Sequence, residues 1–192
     1  IPVVIPVFNE ESNLAPLHSA LVAALEPLDK AYEVLYIDDG STDGSLDTLR
    51  ELARQDARIR VLVFRKNFGQ TAAMAAGIDF AKGETIVTLD ADLQNDPVDI
   101  PILIEKMSEG YEIVCGWRKD RRDSLLRRFS SWTANRLVRA VSGLPLHDIG
   151  CTLRACKADL LKEVSLYGEM HRFLPVYGRQ LGARICEIPV CH

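Results

Sequence analysis

The sequence predicts an α/β fold with a mostly parallel sheet, and three observations carry that expectation. Apolar, β-branched runs alternate with segments of helical spacing along most of the chain. Each of the first four runs leads into a polar cluster: Asn9-Glu10, Asp38-Asp39, Asn67 with Gln70, and Asp90-Asp92-Gln94. A length of 192 residues fits one domain with a sizeable core. Alternation of this kind implies a sheet with helices on both faces.

Val3-Val4-Ile5 reads as the first strand. Asn9-Glu10-Glu11-Ser12 then opens a helix whose Leu14, Leu17, Leu21 and Leu25 fall at helical spacing. Val34 to Ile37 forms the second strand and ends in Asp38-Asp39-Gly40-Ser41. Ser41 or Thr42 is expected to cap the next helix, with Leu46, Leu49 and Leu52 on its inner face. Ile59 to Phe64 is a third strand, and Gln70 to Lys82 an Ala-rich third helix whose small residues, Gly77 among them, point to close packing on the sheet. Thr85-Ile86-Val87-Thr88 is the fourth strand, followed by a helix near Asp99 to Glu109 and a strand at Glu112 to Cys115. Ile185 to Val190 is again strand-like. The chain opens without Met and stops just after that run, which reads as a single catalytic domain over 1–192 cut from something longer.

The totals exclude several classes. A net charge of −4 argues against a nucleic-acid binder held by bulk electrostatics. The five cysteines, Cys115, Cys151, Cys156, Cys186 and Cys191, include no Cys-x-x-Cys pair, so neither a zinc site nor a disulfide framework is indicated, and they read as small hydrophobes in a reducing compartment. No window approaches the roughly 18 apolar residues of a membrane span.

In a parallel sheet the polar clusters after successive strands lie on one edge, where open α/β folds place their ligands. Asp90 and Asp92 therefore bring hard oxygen ligands to that edge, with Gln94 as a neutral third ligand or supporting partner. Such ligands suit Mg²⁺ or Mn²⁺ bridging to substrate phosphates. No Gly-x-Gly-x-x-Gly follows the first strand and no Gly-Lys-Ser/Thr loop occurs, so a phosphate group here would need a metal rather than a glycine-rich nest.

Pro6-Val7-Phe8-Asn9-Glu10, Asp38-Asp39-Gly40-Ser41-Thr42-Asp43, Asn67-Phe68-Gly69-Gln70 and Leu89 to Pro97 resemble the family-two glycosyltransferases of the GT-A (Rossmann-like) fold. Gly116-Trp117-Arg118, Asp148 to Ala155 and Met170 to Pro175 are similar to the branch that moves a sugar onto a polyprenyl phosphate: dolichol-phosphate mannose synthase and the undecaprenyl-phosphate glucosyl- and aminoarabinosyl-transferases. The resemblance implies that Pro6, Phe8, Asn9, Glu10, Ile37, Asp38, Asp39, Gln70, Asp90 and Ala91 surround the nucleotide sugar. Asp39 would accept hydrogen bonds from the nucleotide, and Asp92 and Gln94 would hold the metal on its diphosphate. Asp38 and Asp43 read equally well as turn and cap residues, and Glu10 as a first-turn acid favoured by the helix dipole. Asp148 would anchor an acceptor loop or cap a turn. His171 would lie at the donor pocket mouth or simply pack.

From Arg118 to Arg139 eight Arg or Lys accompany two Asp, and Leu125, Phe129, Trp132 and Leu137 follow helical spacing. A basic amphipathic helix carrying Trp and Phe reads as a membrane-surface element on an anionic cytoplasmic leaflet, or as a helix packed on the sheet with a solvated Arg face. The planar fork of arginine also suits phosphate, so Arg118 with Arg122, Arg127 or Arg128 is expected to grip the acceptor headgroup. A phosphate monoester is mostly dianionic at pH 7 and attacks without a general base. The expected reaction is in-line displacement with inversion, from a UDP-sugar or alternatively GDP-mannose. Rival readings are a transferase to a soluble or polysaccharide hydroxyl, an Asp-x-Asp phosphatase, and a non-catalytic nucleotide-binding module. Self-association is left open.

Overall fold

The computed structural model describes residues 1–119, 143–164 and 166–191. Seven strands build one sheet: β1 (Pro2–Val7), β2 (Glu33–Asp38), β3 (Ile59–Val63), β4 (Thr85–Thr88), β5 (Ile113–Arg118), β6 (Arg154–Lys157) and β7 (Ile185–Val190). Their spatial order is β3-β2-β1-β4-β6-β5-β7. All pairings are parallel except those of β6, which runs antiparallel between β4 and β5.

Alternation along each strand sends successive side chains to opposite faces. Val3, Ile5 and Val7 join one apolar cluster while Val4 joins the other. Helices α1 (Glu11–Leu25), α2 (Ser45–Gln55) and α4 (Ile100–Ser108) cover the first face through Leu14, Leu17, Leu21, Leu49 and Leu103. Helices α3 (Gln70–Phe80), α5 (Ala158–Glu163) and α6 (Leu174–Gln180) cover the second through Ala73, Met74, Ile78, Leu161 and Leu174. At Gly77 helix α3 lies directly against the sheet: a Cβ there would collide with the side chains of Val4 and Ile37. The three-layer arrangement thus follows from strand alternation meeting helical spacing.

One strand was not anticipated from the sequence, and two expectations need correction. The segment Arg154 to Lys157 is a strand, although its Arg-Ala-Cys-Lys sequence carries no apolar alternation. Neither Ser41 nor Thr42 caps α2; the helix begins at Ser45, whose backbone N–H donates to Asp43 Oδ1 at 3.0 Å. Ile37 is fully buried beneath α3 and does not face the strand-end cleft.

The cysteines behave as small hydrophobes. All five are unbridged, and Cys115, Cys151 and Cys156 are buried. Burial pushes the Cys151 thiol up to about 11 and that of Cys156 up to about 12, far from the thiolate a nucleophile needs. Among the described residues no helix is long and apolar enough to cross a membrane.

Candidate active site

The sheet order reverses at β1, with β2 on one side and β4 on the other. Crevices beyond the carboxyl ends of strands at such a reversal are where open α/β sheets bind ligands. Here the ends of β1 and β4 open into a cleft of about 270 Å³ lined by Pro6, Val7, Phe8, Glu10, Asp39, Asn67, Gln70, Asp90, Ala91 and Asp92.

Reciprocal hydrogen bonds between two loops hold one wall. Asn9, at φ +57°, donates its backbone N–H to Ser41 Oγ at 3.0 Å and accepts the Thr42 N–H on Oδ1 at 2.8 Å. Glu10 N–H donates to Ser45 Oγ at 2.9 Å, and Gly44 N–H to Glu11 Oε2 at 3.0 Å. Asn9 is therefore an exposed tether outside the cleft lining, and Asp38 a buried turn residue accepting from Ser41 N–H at 3.3 Å. Phe8, by contrast, keeps 44% of its surface exposed at the cleft. An exposed aromatic face beside carboxylates suits stacking on a nucleobase.

Asp39 holds the opposite wall. Its two carboxylate oxygens accept the backbone N–H groups of Phe68, at 2.7 Å, and Gly69, at 2.9 Å. Gly69 sits at φ +94°, a conformation that favours glycine, and directly precedes α3.

The floor is the tip of β4. Asp90 is half-buried and accepts the Gln70 Nε2 hydrogen at 2.6 Å. Desolvation pushes its carboxyl up to about 6, helped by the Asp92 charge and opposed by a Thr152 hydrogen bond and by Arg154 and Arg118. Asp92 Oδ1 accepts the Gln94 backbone N–H at 3.1 Å, across Leu93 at φ +61°. Gln94 itself is exposed and outside the lining.

Among the described residues, four of the ten that line the cleft are acids and none is Lys, Arg or His. A diphosphate cannot enter such a cleft without a counter-cation. Among the described residues no group of three His, Cys, Asp or Glu forms a complete metal cage. That donor set fits Mg²⁺ or Mn²⁺, which are bound by one or two carboxylates plus substrate phosphates.

Arg118 ends β5 and forms a buried fork with Asp148, Nε to Oδ2 at 2.8 Å and Nη2 to Oδ1 at 3.2 Å. Asp148 thus ties its loop to the end of β5 through Arg118. His171 packs: it is 3% exposed, and its Nδ1 lies 2.6 Å from Thr71 Oγ1. Arg122, Arg127, Arg128 and the amphipathic stripe lie outside the described residues.

Two features escaped the sequence reading. Val7 lines the cleft, next to residues the strand-end argument had reached, as Asn67 of the third polar cluster also does. Arg154 is 2% exposed and donates from Nη1 to His171 O at 2.7 Å and from Nη2 to Ile149 O at 2.6 Å and Arg172 O at 3.1 Å. A lone Arg in a short strand gives no signal that it is buried.

Residues 3–165 match the family model described as "Glycosyl transferase family 2". The chain belongs to that family. This glycosyl transferase family 2 chain is 43% identical to dodecaprenyl-phosphate galacturonate synthase from Rhizobium johnstonii, over all of this chain and 58% of that protein. It is 40% identical to undecaprenyl-phosphate 4-deoxy-4-formamido-L-arabinose transferase from Edwardsiella ictaluri, over all of this chain and 59% of that protein. It therefore spans about three-fifths of the curated relatives it matches. Among solved structures, glucosyl-3-phosphoglycerate synthase from Mycobacterium tuberculosis with Mn²⁺ and UDP superposes at a TM-score of 0.75 with 20% identity, covering 99% of this chain and 69% of that one. A mannosyltransferase from Pyrobaculum calidifontis with GDP-Man and Mn²⁺ gives 0.74 with 21% identity, covering 98% and 54%. At that identity the likeness is one of fold, the GT-A fold of glycosyltransferases.

Proposed function

We propose that this family 2 chain is the catalytic domain of an inverting glycosyltransferase that moves a sugar from a UDP-sugar to a polyprenyl phosphate at the cytoplasmic face of a membrane. The observation that carries the reading is the cleft at the β1/β4 reversal, whose charged lining among the described residues is all acidic, with paired carboxylates at the tip of β4. Phe8 stacks on the base and Asp39 accepts from the nucleotide with the lone pairs its loop bonds leave over. Asp92, with Asp90 beside it and Gln94 nearby, would hold a divalent cation, which would supply positive charge to the leaving diphosphate.

The acceptor follows from charge. A phosphate dianion needs no base, only a positive partner that orients it for in-line attack. Arg118 supplies that charge from the end of β5, and the same role is assigned to Arg127 and Arg128, outside the described residues, on the sequence alone. The names of the two curated relatives favour a polyprenyl phosphate over other anions. A hydroxyl acceptor has one point in its favour, because an acid pushed up to about 6 could serve as a base. The hydrogen bond from Gln70 works against it by stabilising the charged carboxylate, which weakens Asp90 as a base.

Thermal shift with nucleotides and Mn²⁺ tests the donor half. UDP should stabilise the protein only with metal present, and Asp92→Ala should abolish the gain; a metal-independent shift contradicts the assignment. Assaying the full-length protein with polyprenyl phosphate against free sugars, using UDP- and GDP-linked donors, tests the acceptor half.

A further inference from the structure

We propose that Glu187 is a positioning residue for the acceptor phosphate, aiming Arg118 through the 147–148 backbone and Asp148. The kinetic consequence rests on the reading of Arg118 given above; the structural relay does not.

Glu187 is the third residue of β7, opposite Cys115 of β5. Its side chain is 7% exposed. A carboxylate so deeply placed is costly unless its oxygens are filled with donors. Oε1 accepts the backbone N–H of Asp148 at 2.8 Å and that of His147 at 2.9 Å. Oε2 accepts the His147 N–H at 2.8 Å and lies 2.8 Å from His147 Nδ1. Two consecutive N–H groups converging on one anion form a small nest. No Lys or Arg shares that carboxylate among the described residues, so its bonds serve to fix one dipeptide.

That dipeptide is the one that matters for Arg118. The Asp148 side chain, 2% exposed, meets the Arg118 guanidinium, 7% exposed, along the fork described above. Fork-to-carboxylate bonding fixes the plane of the guanidinium as well as its distance. His147 meanwhile stacks on Trp117, the residue before Arg118, with ring centroids 4.3 Å apart and planes 20° from parallel. Parallel pairing of Trp117 with Pro189 and of Arg118 with Val190 closes the loop back onto β7. Glu187 thus controls, at one remove, where a buried positive charge points. A plain loop staple would need only one of these contacts, and it would leave the guanidinium plane indifferent to the state of the Glu187 oxygens.

The test is Glu187→Gln in the full-length enzyme. The amide keeps the shape but presents a donor where one oxygen accepted, so Asp148 shifts. The Arg118 Nε–H resonance, assigned by its loss in Arg118→Lys, should move or broaden. The KM for polyprenyl phosphate should rise about tenfold while that for the nucleotide sugar changes less than about twofold, since small misplacements of a positioning group are costly. The double variant with Arg118→Lys should lose no more than Arg118→Lys alone. An unmoved resonance, or losses that simply add, overturns the proposal. Should Arg118→Lys itself leave the acceptor KM unchanged, the acceptor reading fails and the resonance alone decides the relay. Glu187→Asp, a shorter carboxylate, replaces the amide variant if that fails to fold, with the same expected directions.

Discussion

Gln70 donates its side-chain amide hydrogen to Asp90 Oδ1 at 2.6 Å, joining the first residue of α3 to the tip of β4 across the floor of the cleft. A hydrogen bond to a charged group is worth about 1.5–3 kcal/mol. Gln70→Ala should therefore lower kcat/KM for sugar transfer by about tenfold to a hundredfold, and Gln70→Glu should lower it further by setting another carboxylate beside Asp90 and Asp92. Steady-state kinetics on the full-length enzyme check both. A Gln70→Ala enzyme within about twofold of the parent would remove this contact from the chemistry.

Arg154 makes a prediction about stability instead. Its guanidinium bonds three carbonyls, at Ile149, His171 and Arg172, and so ties the loop before β6 to the short helical turn before α6. Arg154→Met preserves volume but leaves those carbonyls without their donors, at about 1–3 kcal/mol for each that stays unpaired. Chemical denaturation should show a loss of about 3 kcal/mol. Arg154→Lys should recover only part of it, since one ammonium cannot imitate the fork. Unfolding at the parental midpoint would mean that the carbonyls find other donors.

The same residue shows where the sequence stopped being legible. Helices α1 to α3 were readable because burial on one face leaves a period in the apolar residues, and strands β1 to β4 because burial on both faces makes continuous apolar, β-branched runs. The cleft was readable because parallel strands bring their polar ends to one edge. Strand β6 was not, since it is short, lies between two neighbours and carries Arg154 and Lys157 rather than an apolar alternation. Asn9 and Ile37 show the limit within the site. A motif places both at strand ends, but in the fold one ties two loops and the other packs beneath α3.

His171 predicts a pH dependence with a definite sign. Burial foremost, then the Arg172 charge, pushes its imidazole down to about 4 from an ordinary 6.5. Between those values the unfolded chain binds a proton that the folded chain refuses, so stability rises with pH across the window. The contribution is complete above about 6.5 and is lost as pH falls toward about 4, amounting to about 3 kcal/mol over the whole range. His171→Asn, whose amide can still meet Thr71, should flatten the slope of unfolding free energy between pH 7 and pH 5. Equal slopes in parent and variant would show that this imidazole does not titrate as its surroundings dictate.

Asp39 carries the final prediction because two demands meet on one carboxylate. Its oxygens already accept Phe68 and Gly69 N–H, so they hold the 67–69 wall before any nucleotide arrives. Each oxygen has two lone pairs, and a nucleotide can donate to the same carboxylate without displacing the loop. Asp39→Asn breaks this double use: the amide nitrogen must face one backbone N–H, leaving a donor opposite a donor. Nucleotide affinity should fall about tenfold, in line with about 1–3 kcal/mol for an unsatisfied buried donor. Amide exchange at Phe68 and Gly69 should quicken in the nucleotide-free protein as well. Weaker binding with unchanged exchange would assign Asp39 to the nucleotide alone, whereas faster exchange with unchanged binding would make it only a loop anchor.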